Sequence, residues 1–206
     1  MRRSPIAALA LVVLAPASAA GQGSRVYLTP YGGAFIPATS LGKFLVYDRS
    51  DNPIVLDANL ETSAGFGGRL GYWPRERFGI EGSFFYTKGN LKVTDGQSSA
   101  LFDSELKIGS VKALLQVSPG TTGTDFVVSA GVAGVYHGGP AYGVSGATTK
   151  VGGTVGSGLH IDISPLLLLR LDGEALVYDW RARSDLPSAM QLDLLFTAGL
   201  AIRLSR

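Results

Sequence analysis

The stretch GGTVGSGLHIDISPLLLLRLDGEALVYDW, residues 152–180, decides the fold class. On both sides of its Ser-Pro dipeptide, large apolar side chains alternate with small or charged ones. Arg170, Asp172 and Glu174 share one face, and leucine, glycine and alanine separate them. Alternation with a period of two is typical of a β-strand, and a Ser-Pro dipeptide favours a turn. The stretch therefore predicts a β-hairpin with one apolar face and one polar face.

The same period recurs along the chain in eight segments, each near the length of a tilted strand that crosses a bilayer. The segments are residues 25–36, 63–73, 78–87, 105–117, 125–137, 149–163, 166–180 and 190–204. The chain contains 28 glycines, many of them within these segments, where each would weaken a helix by about 1 kcal/mol. No window after the first twenty residues holds 18 consecutive apolar residues, so the sequence predicts no helical membrane span.

The two faces of these segments distinguish a membrane barrel from a soluble β fold. One face is continuously apolar, and the other carries glycine, serine, threonine and ionised groups. A barrel turns the apolar face to lipid and the polar face to a narrow lumen, and its closure satisfies every backbone group. We therefore predict an all-β protein, a closed antiparallel transmembrane β-barrel of about eight strands with up-and-down topology. A soluble periplasmic sandwich or barrel remains the alternative.

The connections between the segments alternate in length. Those at residues 74–77, 118–124 and 164–165 are short, and those at residues 37–62, 88–104, 138–148 and 181–189 are longer. Outer-membrane barrels have short periplasmic turns and long extracellular loops, so the order predicts a periplasmic amino end. Aromatic residues near the segment ends are interpreted as interfacial girdles. They are Tyr72, Trp73, Phe84, Phe85, Tyr86, Tyr136, Tyr178 and Trp180.

Residues 1–20 have the layout of a cleaved signal peptide. Arg2 and Arg3 precede a short apolar run, and Ala17-Ser18-Ala19 follows it. Residues 21–206 are then the barrel domain, exported to the bacterial outer membrane. Removal of the two arginines takes the formal charge from +2 to 0, so nucleic-acid binding has no electrostatic support. Without cysteine, the chain has neither disulfides nor a lipid anchor on cysteine.

Residues 25–206 resemble the small eight-stranded outer-membrane barrels of the outer-membrane protein A, X and W types. The best local matches are residues 152–180 and the terminal strand, where Thr197, Gly199, Ile202 and Leu204 are similar to the assembly signal of the family. The chain ends on Arg206, where the family usually has an aromatic residue. The resemblance implies an outer-membrane barrel that the barrel assembly machinery inserts.

Polar side chains expected in the lumen are the first candidates for a functional site. They are Arg69, Glu81, Lys112, His160, Asp162, Arg170, Asp172, Glu174, Asp193 and Arg203. An eight-stranded barrel is just wide enough for its own side chains, which favours a structural ion-pair network over a narrow ion pathway. Arg69 is expected to pair with Glu81. Arg170 or Arg203 is expected to pair with Asp172, Glu174 or Asp193.

Catalysis and metal binding have little support in the sequence. Only two histidines are present, and His137 is expected at the outer end of the fifth segment, facing the leaflet that holds lipid A. Outer-membrane deacylases carry a histidine and a serine two residues apart, a pattern that this chain lacks. No cluster has metal-ligand spacing, and GFGGRLG lies on a strand and precedes no helix. We expect no enzyme, no metal and no cofactor.

Three functions follow as hypotheses. The first is a structural or surface-interaction barrel, whose partners are the lipid bilayer and lipopolysaccharide. The alternative is a narrow channel or a transport barrel for small or apolar molecules, as the W-type relatives suggest. The third is a lipid A-modifying enzyme. The chain is expected to be a monomer.

Overall fold

The computed structural model describes residues 24–47, 51, 53–95, 97–117, 123–142, 147–180 and 189–204. The predicted signal peptide, residues 1–20, lies outside the described residues. Ten strands are present, and a short 3-10 turn spans Pro140–Tyr142. The strands are β1 Arg25–Pro37, β2 Gly42–Tyr47, β3 Pro53–Leu60, β4 Ser63–Trp73, β5 Phe78–Thr94, β6 Ser99–Gln116, β7 Thr124–Gly138, β8 Thr148–Ser164, β9 Leu167–Trp180 and β10 Ala189–Arg203. In the part of the chain that the structure describes, no helix is long and apolar enough to span a membrane.

Eight of the ten strands close into an antiparallel barrel. The neighbours run β5-β4-β1-β10-β9-β8-β7-β6, and β6 pairs back onto β5 to complete the ring. Each barrel strand begins within one residue of its predicted segment, except β6, which begins earlier. Closure leaves the barrel without an edge, so backbone hydrogen bonds are satisfied around the circumference. The predicted closed, eight-stranded antiparallel barrel is confirmed.

Two predicted loops are wrong, because they are largely strand. Residues 37–62 contain the hairpin of β2 and β3, and residues 88–104 contain the paired ends of β5 and β6. The β5–β6 pairing continues to Thr94 opposite Ser99, and Asp95 closes the turn by accepting hydrogen bonds from two backbone amides, those of Gln97 and Ser98. These two donors hold the pKa of Asp95 below its usual value.

A four-stranded sheet therefore projects beyond the extracellular end of the barrel. We call it the projecting sheet, and it consists of β2, β3 and residues 91–94 and 99–102 of β5 and β6. Along β5, β3 replaces β4 as the neighbour, because β4 pairs only up to Thr87 and β3 pairs from Leu91. The inner face of the sheet continues the lumen wall, where Leu60 and Leu91 are buried.

The outer wall of the barrel is an apolar band. Large apolar side chains there are between about a third and three quarters exposed, for example Phe66 at 66% and Val151 at 76%. On β5 the band runs from Phe78 to Tyr86, nine residues, which matches the span of a tilted transmembrane strand. A solvent-exposed apolar surface of this kind on a closed barrel is suited to lipid.

The predicted aromatic girdles are only partly correct. Tyr72, Phe84, Tyr86 and Tyr136 lie on the outer wall. The other four predicted girdle residues point inward and are at most 5% exposed: Trp73, Phe85, Tyr178 and Trp180. Successive side chains of a strand point to opposite faces. Trp73 and Phe85 follow outward aromatics and so face the lumen, and Tyr178 and Trp180 flank the outward Asp179. These four residues therefore fill the interior.

Two adjacent glycines on β4 test which face of the strand lines the lumen and which faces lipid. A Cβ atom on Gly67 would lie 2.7 Å from the Tyr31 ring and would also overlap the carbonyl of Phe84, whereas one on Gly68 would meet no atom within 4 Å. We expect Gly67→Ala to destabilise the barrel by about 1–3 kcal/mol through overpacking. Gly68→Ala should change stability by less than about 0.5 kcal/mol. Urea unfolding in lipid vesicles measures both, and equal losses would contradict the assignment of faces.

Candidate functional site in the barrel lumen

The lumen is built in three layers. Near the periplasmic end lies a small apolar cluster of Tyr27, Trp73, Leu114, Val127, Leu168 and Ala201. Charged side chains occupy the middle. A larger apolar cluster, which includes Phe35, Phe85, Leu176 and Leu195, fills the extracellular half. The expectation that the inward face is mostly small and polar is therefore wrong outside the middle layer. Bulky apolar side chains alternate there with the glycines that make room for them.

We call this middle layer of charged side chains the central network, and Glu81 lies at its centre. Glu81 is fully buried, and its carboxylate contacts all three cations of the layer: Arg170 at 2.5 Å, Lys112 at 3.2 Å and Arg69 at 3.6 Å. Glu174 accepts hydrogen bonds from Arg69 at 2.8 Å and from Lys112 at 2.7 Å. The structure thus brings together residues from β4, β5, β6 and β9, and Arg69 meets Glu81 as expected.

Asp172 completes the central network on β9. Its carboxylate accepts hydrogen bonds from Arg69 at 2.5 Å and from Arg170 at 3.3 Å. His160 of β8 lies beside it, with Nε2 at 3.7 Å from the Asp172 carboxylate. Three carboxylates therefore face three cations, and the layer is neutral when His160 is uncharged. Mutual pairing is what makes six buried charges tolerable.

Two further side chains join the network, and neither was a lumen candidate. The Arg69 guanidinium stacks on the Tyr31 ring, 4.1 Å from its centroid, and donates a hydrogen bond to the Thr197 hydroxyl at 2.8 Å. Tyr31 in turn stacks on Phe85 of the extracellular cluster. The inward parity of Thr197 and Tyr31 could have been found from the alternation, but their height in the barrel could not.

Three of the predicted lumen residues lie apart from the central network. Asp162 is exposed at the periplasmic mouth, next to a bulge in the β8–β9 pairing. Arg203 donates hydrogen bonds to the Tyr27 hydroxyl at 3.0 and 3.3 Å. Asp193 accepts a hydrogen bond from the Tyr178 hydroxyl at 2.6 Å in the extracellular half. Of the expected pairings, that of Arg170 with Asp172 is present, at 3.3 Å. Arg203 and Asp193 do not join the charges of β9, because these two residues sit near opposite ends of β10.

The four residues that resemble the assembly signal divide between the two faces at the end of the chain: two point inward and two outward. Thr197 points inward to Arg69, and Gly199 also faces inward, where a Cβ atom would lie 2.7 Å from that of Tyr31. Ile202 and Leu204 are 40% and 57% exposed on the outer wall. The apolar pair of the motif is therefore accessible from the membrane, as recognition by assembly machinery would require.

His137 lies inside the barrel, so the expectation that it faces the outer leaflet is wrong. It is fully buried, and the Trp180 ring lies 4.5 Å away. Its ring nitrogens each lie 3.3 Å from a tyrosine hydroxyl, Nδ1 from Tyr142 and Nε2 from Tyr178. Tyr178 already donates its proton to Asp193, so it can only accept from His137. Neutral His137 therefore carries its proton on Nε2 and accepts from Tyr142, which ties the 3-10 turn to the wall.

Two small cavities adjoin the central network. One, of about 30 Å³, opens towards the periplasmic mouth and is lined by His160, Arg170 and Asp125 among others. The other, of about 10 Å³, lies between Glu81, Lys112 and Glu174 and is the size of one water molecule.

Among the described residues, no three histidine, cysteine, aspartate or glutamate side chains are grouped to hold a metal ion.

The sequence matches no family model and no curated protein. Solved structures, in contrast, match over almost the whole chain. Outer membrane protein OprG of Pseudomonas aeruginosa superposes with a TM-score of 0.66 at 13% identity, covering 90% of this chain and 99% of OprG. The chain has the fold of the small eight-stranded outer-membrane barrels.

Two other barrels with this fold support the same conclusion. Outer membrane protein AlkL, solved in lipid bilayers, gives a TM-score of 0.61 at 12% identity and covers 93% of this chain and 96% of its own. Neisserial surface protein A gives 0.55 at 11% identity, covering 88% and 99%. The closed ring and the apolar outer wall are those of a barrel that spans a lipid bilayer, and the fold is the one that these outer-membrane barrels share.

Proposed function

We propose that this protein is a non-conducting outer-membrane barrel with a surface-interaction role. The observation that carries the proposal is the contrast between the filled lumen of the barrel and the extension of its wall beyond the lipid band. The lumen is crossed by the central network and packed above it by the extracellular apolar cluster. The wall, by contrast, continues past the lipid band into the projecting sheet. The barrel then serves as a scaffold, and the projecting sheet makes the contact with other molecules.

The outer face of the projecting sheet has the features of a binding surface. Val55 and Leu101 lie on this face and are 52% and 58% exposed beyond the lipid band. Phe102, on the inner face, is 45% exposed. Apolar side chains held on a rigid sheet in water commonly mark a site of contact with another molecule. Among the strands that the structure describes, β2 pairs with β3 alone, so its other edge adds backbone groups to this surface.

Adherence of cells that display the protein tests the proposal. The double variant Val55→Ser with Leu101→Ser should lose binding to a surface coated with serum proteins. The matched control, Val55→Ile with Leu101→Met, should retain it, because it keeps the face apolar. Heat-dependent gel mobility verifies that both variants form the barrel. The proposal fails if displaying cells adhere no better than cells without the protein, or if the serine variant adheres like the control.

A second candidate is transport of small apolar molecules into the membrane. The extracellular half of the lumen is apolar, and a shallow groove of about 460 Å³ lies on the lipid-facing wall nearby, lined by Gly32, Gly173, Phe196 and Ala198 among others. A path between them requires β1 and β10 to part. Uptake of a fluorescent alkane by vesicles that contain the protein would favour this candidate over the scaffold.

A non-enzymatic role is part of the proposal. Lipid A modification would need a base that reaches a lipid in the outer leaflet, and His137 is enclosed by Tyr142, Tyr178 and Trp180. Unchanged lipid A in cells that display the protein supports this view. A modification that His137→Ala abolishes would contradict it.

A further inference from the structure

One row of side chains on the outer wall combines positive charge with aromatic hydroxyls at the extracellular edge of the lipid band. Lys107 of β6 pairs with Tyr86 of β5 on one side and with Tyr136 of β7 on the other. Its ammonium lies 5.1 Å from the centroid of the Tyr136 ring. Lys88, exposed and one outward position above Tyr86, adds a second cation. Tyrosine and lysine together at this height are suited to lipid headgroups.

Acidic side chains accompany the two lysines of this row. Glu105, opposite Lys88 in the β5–β6 pairing, lies 3.3 Å from the Lys107 ammonium and within hydrogen-bonding reach of the Tyr86 hydroxyl. Glu105 is thus the carboxylate in contact with Lys107. Two more carboxylates lie one outward position higher, where Asn90 pairs with Asp103 and donates a hydrogen bond to Glu61. The Lys107 side chain remains 42% exposed, so it can take a further anionic partner. On β9, by contrast, the outward residue that ends the apolar band is acidic, Asp179.

The wall directly below the row is recessed. The next outward positions towards the membrane are Gly109 and Gly134, which pair with each other between Phe84 and Val151. A Cβ atom at Gly134 would meet nothing within 4 Å. Phe84 and Val151, 51% and 76% exposed, form the sides of this recess. Its shape and polarity suit an acyl chain that descends from a headgroup at Lys107.

We propose that Lys88 and Lys107 bind a phosphate of lipid A, assisted by the hydroxyls of Tyr86 and Tyr136. The acyl chain nearest that phosphate lies in the recess over Gly109 and Gly134. Charge complementarity selects the occupant, since phosphate is the anion that a lipid of the outer leaflet offers at this height. The proposal rests on the proposed outer-membrane barrel, oriented with its amino end in the periplasm as the connection lengths predict, and is independent of what the projecting sheet binds.

Native mass spectrometry of the full chain in mild detergent, titrated with lipid A, tests the site. Lys88→Gln and Lys107→Gln should each weaken binding about fivefold. Glu105→Gln should strengthen binding, because it removes the anion that pairs with Lys107. Lys92→Gln is the matched control, since Lys92 is exposed on the same face of β5 but above the row, and it should have no effect.

Two further binding measurements show whether the bound phosphate belongs to lipid A or is free in solution. Dephosphorylated lipid A should bind wild type no better than it binds the double variant Lys88→Gln with Lys107→Gln. Inorganic phosphate at millimolar concentration should not displace lipid A. Equal affinity of the double variant and wild type for lipid A, tight binding of the dephosphorylated lipid, or displacement by inorganic phosphate would each overturn the proposal. Heat-dependent mobility of every variant separates loss of this site from loss of the barrel.

Discussion

Glu81→Gln is expected to destabilise the barrel by about 3–5 kcal/mol, because it removes one partner from a buried ion-pair network. Glu81 is fully buried and contacts Arg69, Lys112 and Arg170. The amide keeps the size of the side chain but leaves three cations against two carboxylates. Urea unfolding of the protein in lipid vesicles, followed by heat-dependent gel mobility, measures the free energy of unfolding.

Glu105→Gln is the matched control for this experiment. Glu105 also forms an ion pair with a lysine, Lys107, but lies on the outer wall, where its side chain is 28% exposed. Solvent-accessible ion pairs contribute little to stability, so this variant should unfold close to wild type. Similar losses for the two variants would mean that the central network does not stabilise the lumen.

Phe85→Ala is expected to cost about 3–5 kcal/mol, the usual loss for removal of a buried aromatic side chain. Phe85 is 1% exposed and stacks on Tyr31 with 6.1 Å between ring centroids. Tyr31 in turn supports Arg69, so the cavity would also loosen the central network. The same unfolding measurement gives the magnitude.

The neighbouring phenylalanine supplies the comparison. Phe84 lies on the outer wall and is 51% exposed, so Phe84→Ala removes only contacts with lipid and surface neighbours. A markedly smaller loss is expected for it than for Phe85→Ala. A larger loss of unfolding free energy for Phe84→Ala than for Phe85→Ala would mean that the inward and outward faces of β5 are exchanged. The lumen would then not be lined as described.

The period of two was enough to predict which side chains face the lumen. Arg69, Glu81, Lys112 and Glu174 come from four strands, and alternation alone assigned each of them to the inner face. Alternation does not give height, since the register between strands is set by packing and closure. Asp193 and Arg203 share a face of β10 but are ten residues apart, about 33 Å along an extended strand. They therefore could not both meet the charges of β9.

The projecting sheet was missed for a different reason. Gly89 and Asn90 interrupt the apolar alternation of β5 at the edge of the lipid band. The alternation in the sequence therefore predicts a strand that ends at Thr87. The strand continues because Leu91 and Val93 resume the inward face and pair with residues of β3 and β6. His137, by contrast, could have been placed correctly, since it has the inward parity of Val127 and Val135.

Single-channel recording in planar lipid bilayers shows directly whether the lumen is closed. We expect no steady conductance for the wild-type protein, because the central network and the apolar cluster above it fill the barrel. The same preparation should show the heat-dependent mobility of a folded barrel. Steady conductance steps that change when Lys112 or Arg170 is neutralised would contradict a closed lumen and identify the network as the lining of a channel.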